Sequence, residues 1–136
     1  ALGAVKLAAK YQQEGLLGGQ PTTDYAALTS SETLEEIKSS LDRSVAKFAE
    51  RLPEEATDIV LNTYLELFEG LEGDLITQDA ALVEDLEKDF NVTLPQALNS
   101  SSTLSEVQTV VELMKSKLDR SKVLLGEIDS ARRDVF

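Results

Sequence analysis

Apolar residues recur at intervals of three and four along nearly the whole chain, the spacing of one face of an α-helix. Residues 1–17 read as a first helix carrying Leu2, Val5, Ala9 and Leu16. Gly15, Gly18, Gly19 and Pro21 end it and open a polar loop to residue 32, in which Ser30 and Ser31 lie; Tyr25 and Leu28 of this loop are expected to pack down. A second helix over 34–51 has the stripe Leu34, Ile37, Leu41, Val45, Phe48 and Leu52. Thr33 is its expected N-cap, with Glu36 completing a capping box. Pro53 breaks the ladder and suits the first turn of a third helix over 54–76, where Glu54 and Glu55 face the positive end of the dipole. Ala56, Ile59, Val60, Thr63, Tyr64, Leu67, Phe68, Leu71 and Leu75 form its apolar face, and Gly70 and Gly73 lie near its end.

A shorter helix is predicted over 79–90, capped by Asp79, with Leu82, Leu86 and Phe90 inward and Asn91 as its stop. Leu94, Pro95 and Leu98 predict one helical turn within a loop. The last helix, over 104–133, opens with the box Thr103 and Glu106 and carries Leu104, Val107, Val111, Met114, Leu118, Ser121, Leu125 and Ile128. It would be roughly 45 Å long at the helical rise. No stretch alternates as a strand would. The pattern predicts an all-α, up-and-down bundle of four to five helices, with residues 1–136 forming one domain.

The chain also resembles itself. Residues 27–37 align with 97–107 at an offset of 70, with seven of eleven positions identical. Residues 38–44 (Lys-Ser-Ser-Leu-Asp-Arg-Ser) align with 115–121 at an offset of 77, with six of seven identical. The offset grows by seven residues, two helical turns, which keeps the apolar face nearly in register. The second copy reads as the same helix lengthened, and the repeat, about 27–76 and 97–136, predicts two related helical hairpins. Asp42 and Asp119, with Arg43 and Arg120, are expected to make rim pairs, each stabilising by about 0–1 kcal/mol.

Composition narrows the chemistry. The 136 residues carry a formal charge of −12 and contain no His, Cys or Trp. There is then no imidazole base, no catalytic triad, no thiolate metal site and no disulfide. A phosphate-backbone binder needs a basic face, so nucleic acid is an unexpected partner. Aromatic residues are only 5%, which leaves Leu, Val, Ile and Ala to build the core. No apolar run approaches the roughly 18 residues that span a bilayer. The chain starts at Ala1, lacks Cys and carries sequons at Asn91-Val92-Thr93 and Asn99-Ser100-Ser101. Together these lean towards an extracytoplasmic setting, with Asn91 and Asn99 as candidate glycosylation sites.

The run Tyr64–Leu75 holds Glu66, Glu69 and Glu72 at Glu-x-x-Glu spacing, and Glu84 and Glu87 repeat it. Carboxylates three apart on a helix are neighbours and can share a hard cation such as iron or calcium. On a regular helix, however, Glu69 points away from the core and Glu66 and Glu72 lie on flanks about 120° apart. They form a solvated acidic face and, at most, a surface metal site shared with a partner. No catalytic residue is identified, and the reading is non-enzymatic.

From Tyr25 to Glu127 the order of features resembles the extracytoplasmic helical domain attached to iron permeases of the high-affinity ferric-iron transporter family, distantly akin to imelysin-like bundles. The resemblance is carried by Ala56-x7-Tyr64-x3-Phe68-Glu69-x2-Glu72-x2-Leu75, by Asp79-x2-Leu82-Val83-x3-Glu87-x2-Phe90, and by Glu106-Val107-x10-Leu118-Asp119-Arg120-Ser121-x3-Leu125. It implies an accessory module of an iron-uptake system, with a protein partner or a membrane-embedded assembly beside it. The permease's Arg-Glu-x-x-Glu motif is absent, since position 68 is Phe where Arg would stand, and metal motifs using His are impossible. A structural subunit of a larger assembly, such as a lumenal photosystem subunit or a cell-surface filament protein, is the alternative expectation.

Overall fold

The computed structural model describes residues 28–135, and side chains as far as Ile128. The helix expected over 1–17, and Tyr25, lie outside the described residues. Four helices follow one another: α1 (Ser30–Ala49), α2 (53–76), α3 (80–98) and α4 (Leu104–Val135). Turns at 50–52, 77–79 and 99–103 join them. α1 packs against α2 and α4, and α3 closes the square against the same two helices. This is an all-α, up-and-down bundle, with no strand among the described residues.

Fully or nearly buried residues from all four helices fill the centre. They include Leu34, Ile37 and Leu41 of α1, Val60, Phe68 and Leu75 of α2, Leu86, Phe90, Leu94 and Leu98 of α3, and Met114, Leu118 and Leu125 of α4. The apolar stripes read from the sequence thus point inward, although Leu104 at the start of the last stripe is exposed. Leu28 is half-buried against the bundle.

α1, expected as the second helix over 34–51, starts four residues earlier than the pattern predicted. Thr29, not Thr33, is the N-cap: its Oγ1 accepts from the Glu32 amide at 3.0 Å, and Glu32 Oε1 accepts from the Thr29 amide at 3.0 Å. The sequence holds two overlapping Thr-x-x-Glu boxes. Once the first has nucleated a turn, each added residue gains a ladder bond at little cost, so the earlier box prevails. Thr33 is buried within the helix and donates its hydroxyl to the Thr29 carbonyl. Ser30 and Ser31 are therefore the first helical residues rather than loop. At α4 the predicted box is present as read, with Thr103 and Glu106 bonded reciprocally at 2.7 and 3.1 Å.

Two helices depart from regular geometry. In α2 the α-helix Pro53–Thr63 runs into a wide π turn, Tyr64–Phe68, closed by a bond from the Glu69 amide to the Tyr64 carbonyl. A tight 3₁₀ turn, Glu69–Leu71, follows before regular helix resumes over Glu72–Ile76. In α3 the chain does not stop at Asn91. It passes through a second π turn, Asp89–Thr93, into a helical turn over Leu94–Leu98. Pro95 has no amide hydrogen and its ring crowds the preceding turn. The widened turn just before it changes the hydrogen-bond register there and lets the helix continue. Asn91, expected as a stop, donates its side-chain amide to the Glu87 carbonyl at 2.9 Å within the helix. The Asp79 cap is as predicted, accepting from the Leu82 amide at 3.0 Å.

The two π turns meet through their aromatic side chains. Phe68 stacks on Phe90 with ring centres 5.4 Å apart, and Tyr64 lies 6.1 Å from Phe68 and 5.8 Å from Phe90. Such contacts add about 0.5–1.5 kcal/mol beyond simple area burial.

On the opposite side, α1 and α4 are cross-linked reciprocally. Lys38 reaches Asp119 at 2.8 Å, and Lys115 reaches Asp42 at 2.5 Å. Lys38 and Lys115 are equivalent in the sequence repeat, as are Asp42 and Asp119. Their environments match as well: the lysines are 23% and 21% exposed and the aspartates 60% and 62%. Lys122 extends the same antiparallel ladder to Glu35 at 3.2 Å. The repeat-related Ser44 and Ser121 are both fully buried and donate to carbonyls of their own helices. The aspartates thus pair across the helices, but with lysine. Arg43 instead turns back to Glu36 and Ser40 of its own helix.

Candidate functional site

The formal charge is divided unequally between the two sides of the square. α1 and α4 together hold ten acidic and nine basic residues. Residues 53–98, which form α2 and α3, hold twelve acidic residues against the single base Lys88. Nearly all of the net charge therefore lies on one side.

The three glutamates read as a surface site are split by the fold. Glu66 is exposed and lines a groove of about 400 Å³ with Leu28, Ser30, Thr33, Leu67, Gly70 and Leu71, facing the start of α1. Glu69 is exposed. Glu72 is half-buried and lies on the α3 side, where its Oε2 accepts from the Tyr64 hydroxyl at 2.9 Å. Glu87 of α3 approaches it within hydrogen-bond reach. The structure thus brings Glu72 together with Tyr64 and Glu87, with Glu69 acting on them through its charge, and leaves Glu66 elsewhere. Among the described residues, no group of three or more Asp or Glu side chains is arranged to hold a metal ion.

Glu72 titrates unlike an ordinary carboxylate. Partial burial, and then the hydrogen bond shared with Glu87, push it up to about 6; the Tyr64 hydroxyl pulls the other way. Tyr64 itself is held protonated well above the usual range, first by burial and then by its bond to the Glu72 carboxylate. On the α1/α4 side the shifts have the opposite sense. Hydrogen bonds from Lys122 and Lys38 lower Glu35, and the bond to Asp119 raises Lys38. One side of the bundle stabilises charge and the other resists it.

Sequence spacing could not identify the Glu72–Tyr64–Glu87 grouping. Tyr64 and Glu72 are eight residues apart, and a regular wheel does not include the wide and tight turns between them. Asp89 was missed for a similar reason. It is nearly buried in the second π turn and pairs with Lys117 of α4 at 2.8 Å. An acidic residue adjoining the buried Phe90 was the available signal.

Both sequon asparagines have exposed side chains, and both side-chain amides are engaged. Asn91 donates to Glu87, and Asn99 donates to Thr57 Oγ1 and to the Pro95 carbonyl, each at 2.8 Å. A glycan on the amide nitrogen leaves one N–H, so Asn99 would lose one of its two bonds, whereas Asn91 could keep its single bond. No helix among the described residues is long and apolar enough to cross a membrane. No protein family, no curated protein and no solved structure matches the chain.

Proposed function

We propose that the chain is a non-enzymatic, extracytoplasmic bundle module of an iron- or metal-uptake system, presenting an acidic side that attracts cations or docks a partner. The observation that carries this reading is the segregation of charge. Twelve acids and one base over residues 53–98 produce a one-signed field, which raises the local concentration of cations and steers basic surfaces towards it. The resemblance to permease-linked domains supplies the metal, and the carboxylates supply the only strong hard-cation chemistry, in a diffuse arrangement that favours weak surface association. Calorimetric titration with ferric citrate, ferrous iron and calcium tests it. Heat and a raised melting temperature are expected; neither effect at millimolar metal overturns the cation reading.

The second reading is a structural subunit of a larger assembly. Leu65, Ile76 and Val92 favour it, because all three are large, apolar, exposed and carried by the acidic helices. We also infer that α1 and α4 derive from duplication of one helix; residues 104–135 form the single helix α4, so the second copy is not the hairpin expected from the repeat. The reciprocal Lys–Asp pairs and the equivalent buried serines support that origin, because a pseudo-two-fold pairs residue i with j and j with i.

A further inference from the structure

We propose that residues 1–17 of this chain dock on the outer face of α2, along the groove that Leu28 enters between α2 and the start of α1. Leu65, Glu69, Gly70, Gly73 and Ile76 lie exposed on the second half of α2, Leu65 by 60% and Ile76 by 52%. The groove beside them has a volume of about 400 Å³, and Leu67, Leu71 and Leu28 give it apolar walls. Among the described residues no helix covers this face, since α1, α3 and α4 pack on the other sides of α2.

The two glycines point to a close neighbour. Glycine within a helix is unfavourable relative to alanine, because it loses more backbone freedom on folding. At Gly70 and Gly73 an added Cβ would meet nothing within 4 Å, and neither residue has the positive φ that would require glycine. The four-helix square therefore gives no reason for glycine at either position. A bare backbone on an exposed face does let another element approach closely.

Position, length, polarity and charge select residues 1–17 as the occupant. The chain enters the described bundle at Leu28, already inside the groove, and residues 18–27 reach at most about 35 Å from there. The helix expected over 1–17 would be about 25 Å long, enough to cover the roughly 17 Å between residues 65 and 76. Its stripe of Leu2, Val5, Ala9 and Leu16 offers apolar cover for Leu65 and Ile76. Residues 1–13 carry Lys6 and Lys10 and no acidic residue, whereas residues 53–98 carry twelve acids and one base. Lys6 and Lys10 stand one helical turn apart beside the stripe, a spacing that places both against a carboxylate-rich face. A second copy of the chain could offer the same segment, but a short tether gives an effective concentration on the order of millimolar, so the intrachain contact prevails in dilute solution.

The docked segment covers part of the acidic side that the metal-uptake reading assigns to cations or a partner. It draws on that side's charge and needs no metal.

Zero-length carbodiimide coupling of the full chain, at low micromolar concentration in chelator-treated buffer, tests the docking. Unlabelled and nitrogen-15-labelled chains are mixed first, so that only interchain links combine the two isotopes. Lys6 or Lys10 should be joined to Glu69 within one chain, in clear preference to Glu84, which is exposed on α3. Gly70→Arg places a large basic side chain on the docking face, where the bundle itself has room, and should lower that yield about tenfold while helix content and the cooperative melt persist. Glu84→Arg makes a basic substitution away from the face and should leave the yield intact. Absence of the Lys6 and Lys10 links, equal coupling to Glu69 and Glu84, links that combine isotopes throughout, or an unchanged yield in Gly70→Arg would each overturn the docking. None of these outcomes involves metal, so the cation titration decides the proposed function separately.

Discussion

The α1/α4 side and the α2/α3 side of the bundle solve the same packing problem differently. α1 and α4 run without a break and begin with complete capping boxes. They place opposite charges in reciprocal register along the rim, so that the net charge nearly cancels. α2 and α3 each contain a π turn, interlock through three aromatic rings, and leave an excess of carboxylates, among which Glu72 is pushed up chiefly by burial. Regular helices are specified by local signals and tolerate an exposed, charge-balanced rim. Irregular helices depend on what they pack against, and here they are also the helices that carry the excess of acidic residues. Their stability should respond accordingly to mutation, salt and pH.

The largest expected effect removes the aromatic lock on the irregular side. Phe90→Ala leaves a cavity beside Phe68 and Tyr64 and should cost about 3–5 kcal/mol, read as a drop in the urea midpoint. If the loss is under 1 kcal/mol, the π turns are not held by this contact. Thr29→Ala and Thr103→Ala should each cost about 1 kcal/mol by deleting a cap on the regular side. Thr29→Ala also decides which overlapping box starts α1: negligible loss would mean that the later Thr33 box can take over. Smallest are the reciprocal pairs. Double-mutant cycles on Lys38–Asp119 and Lys115–Asp42 should give similar couplings of about 0–1 kcal/mol, falling together in high salt. Unequal couplings would break the pseudo-symmetry that supports a duplicated origin.

Several site features were legible before any coordinates. The Glu66, Glu69 and Glu72 wheel showed that the three could not converge, and the fold separates Glu66 from Glu72. The repeat indicated where α1 and α4 would correspond, although it did not choose lysine over arginine as the partner of Asp42 and Asp119. That choice depends on how far each side chain reaches across a particular helix separation. The end of the helix at Asn91 was misread because Asn and Pro are local stop signals. Phe90, Leu94 and Leu98, all fully or nearly buried, hold α3 on the core and carry it past them.

The sequence by itself determined the helical class, the inward stripes, the cap at Thr103, the start at Pro53 and the uneven distribution of charge. All of these follow from interactions within a few residues along the chain, or from simple composition. Tertiary structure alone decided that α2 and α3 would each widen at one turn, that Tyr64 would reach Glu72, and that Glu87 would meet the same carboxyl. A turn that widens moves every later residue around the helix, and only packing against a neighbouring helix fixes where that happens. The upward shift of Glu72 is likewise a property of packed helices, because burial comes first among its causes and Glu87 of α3 next.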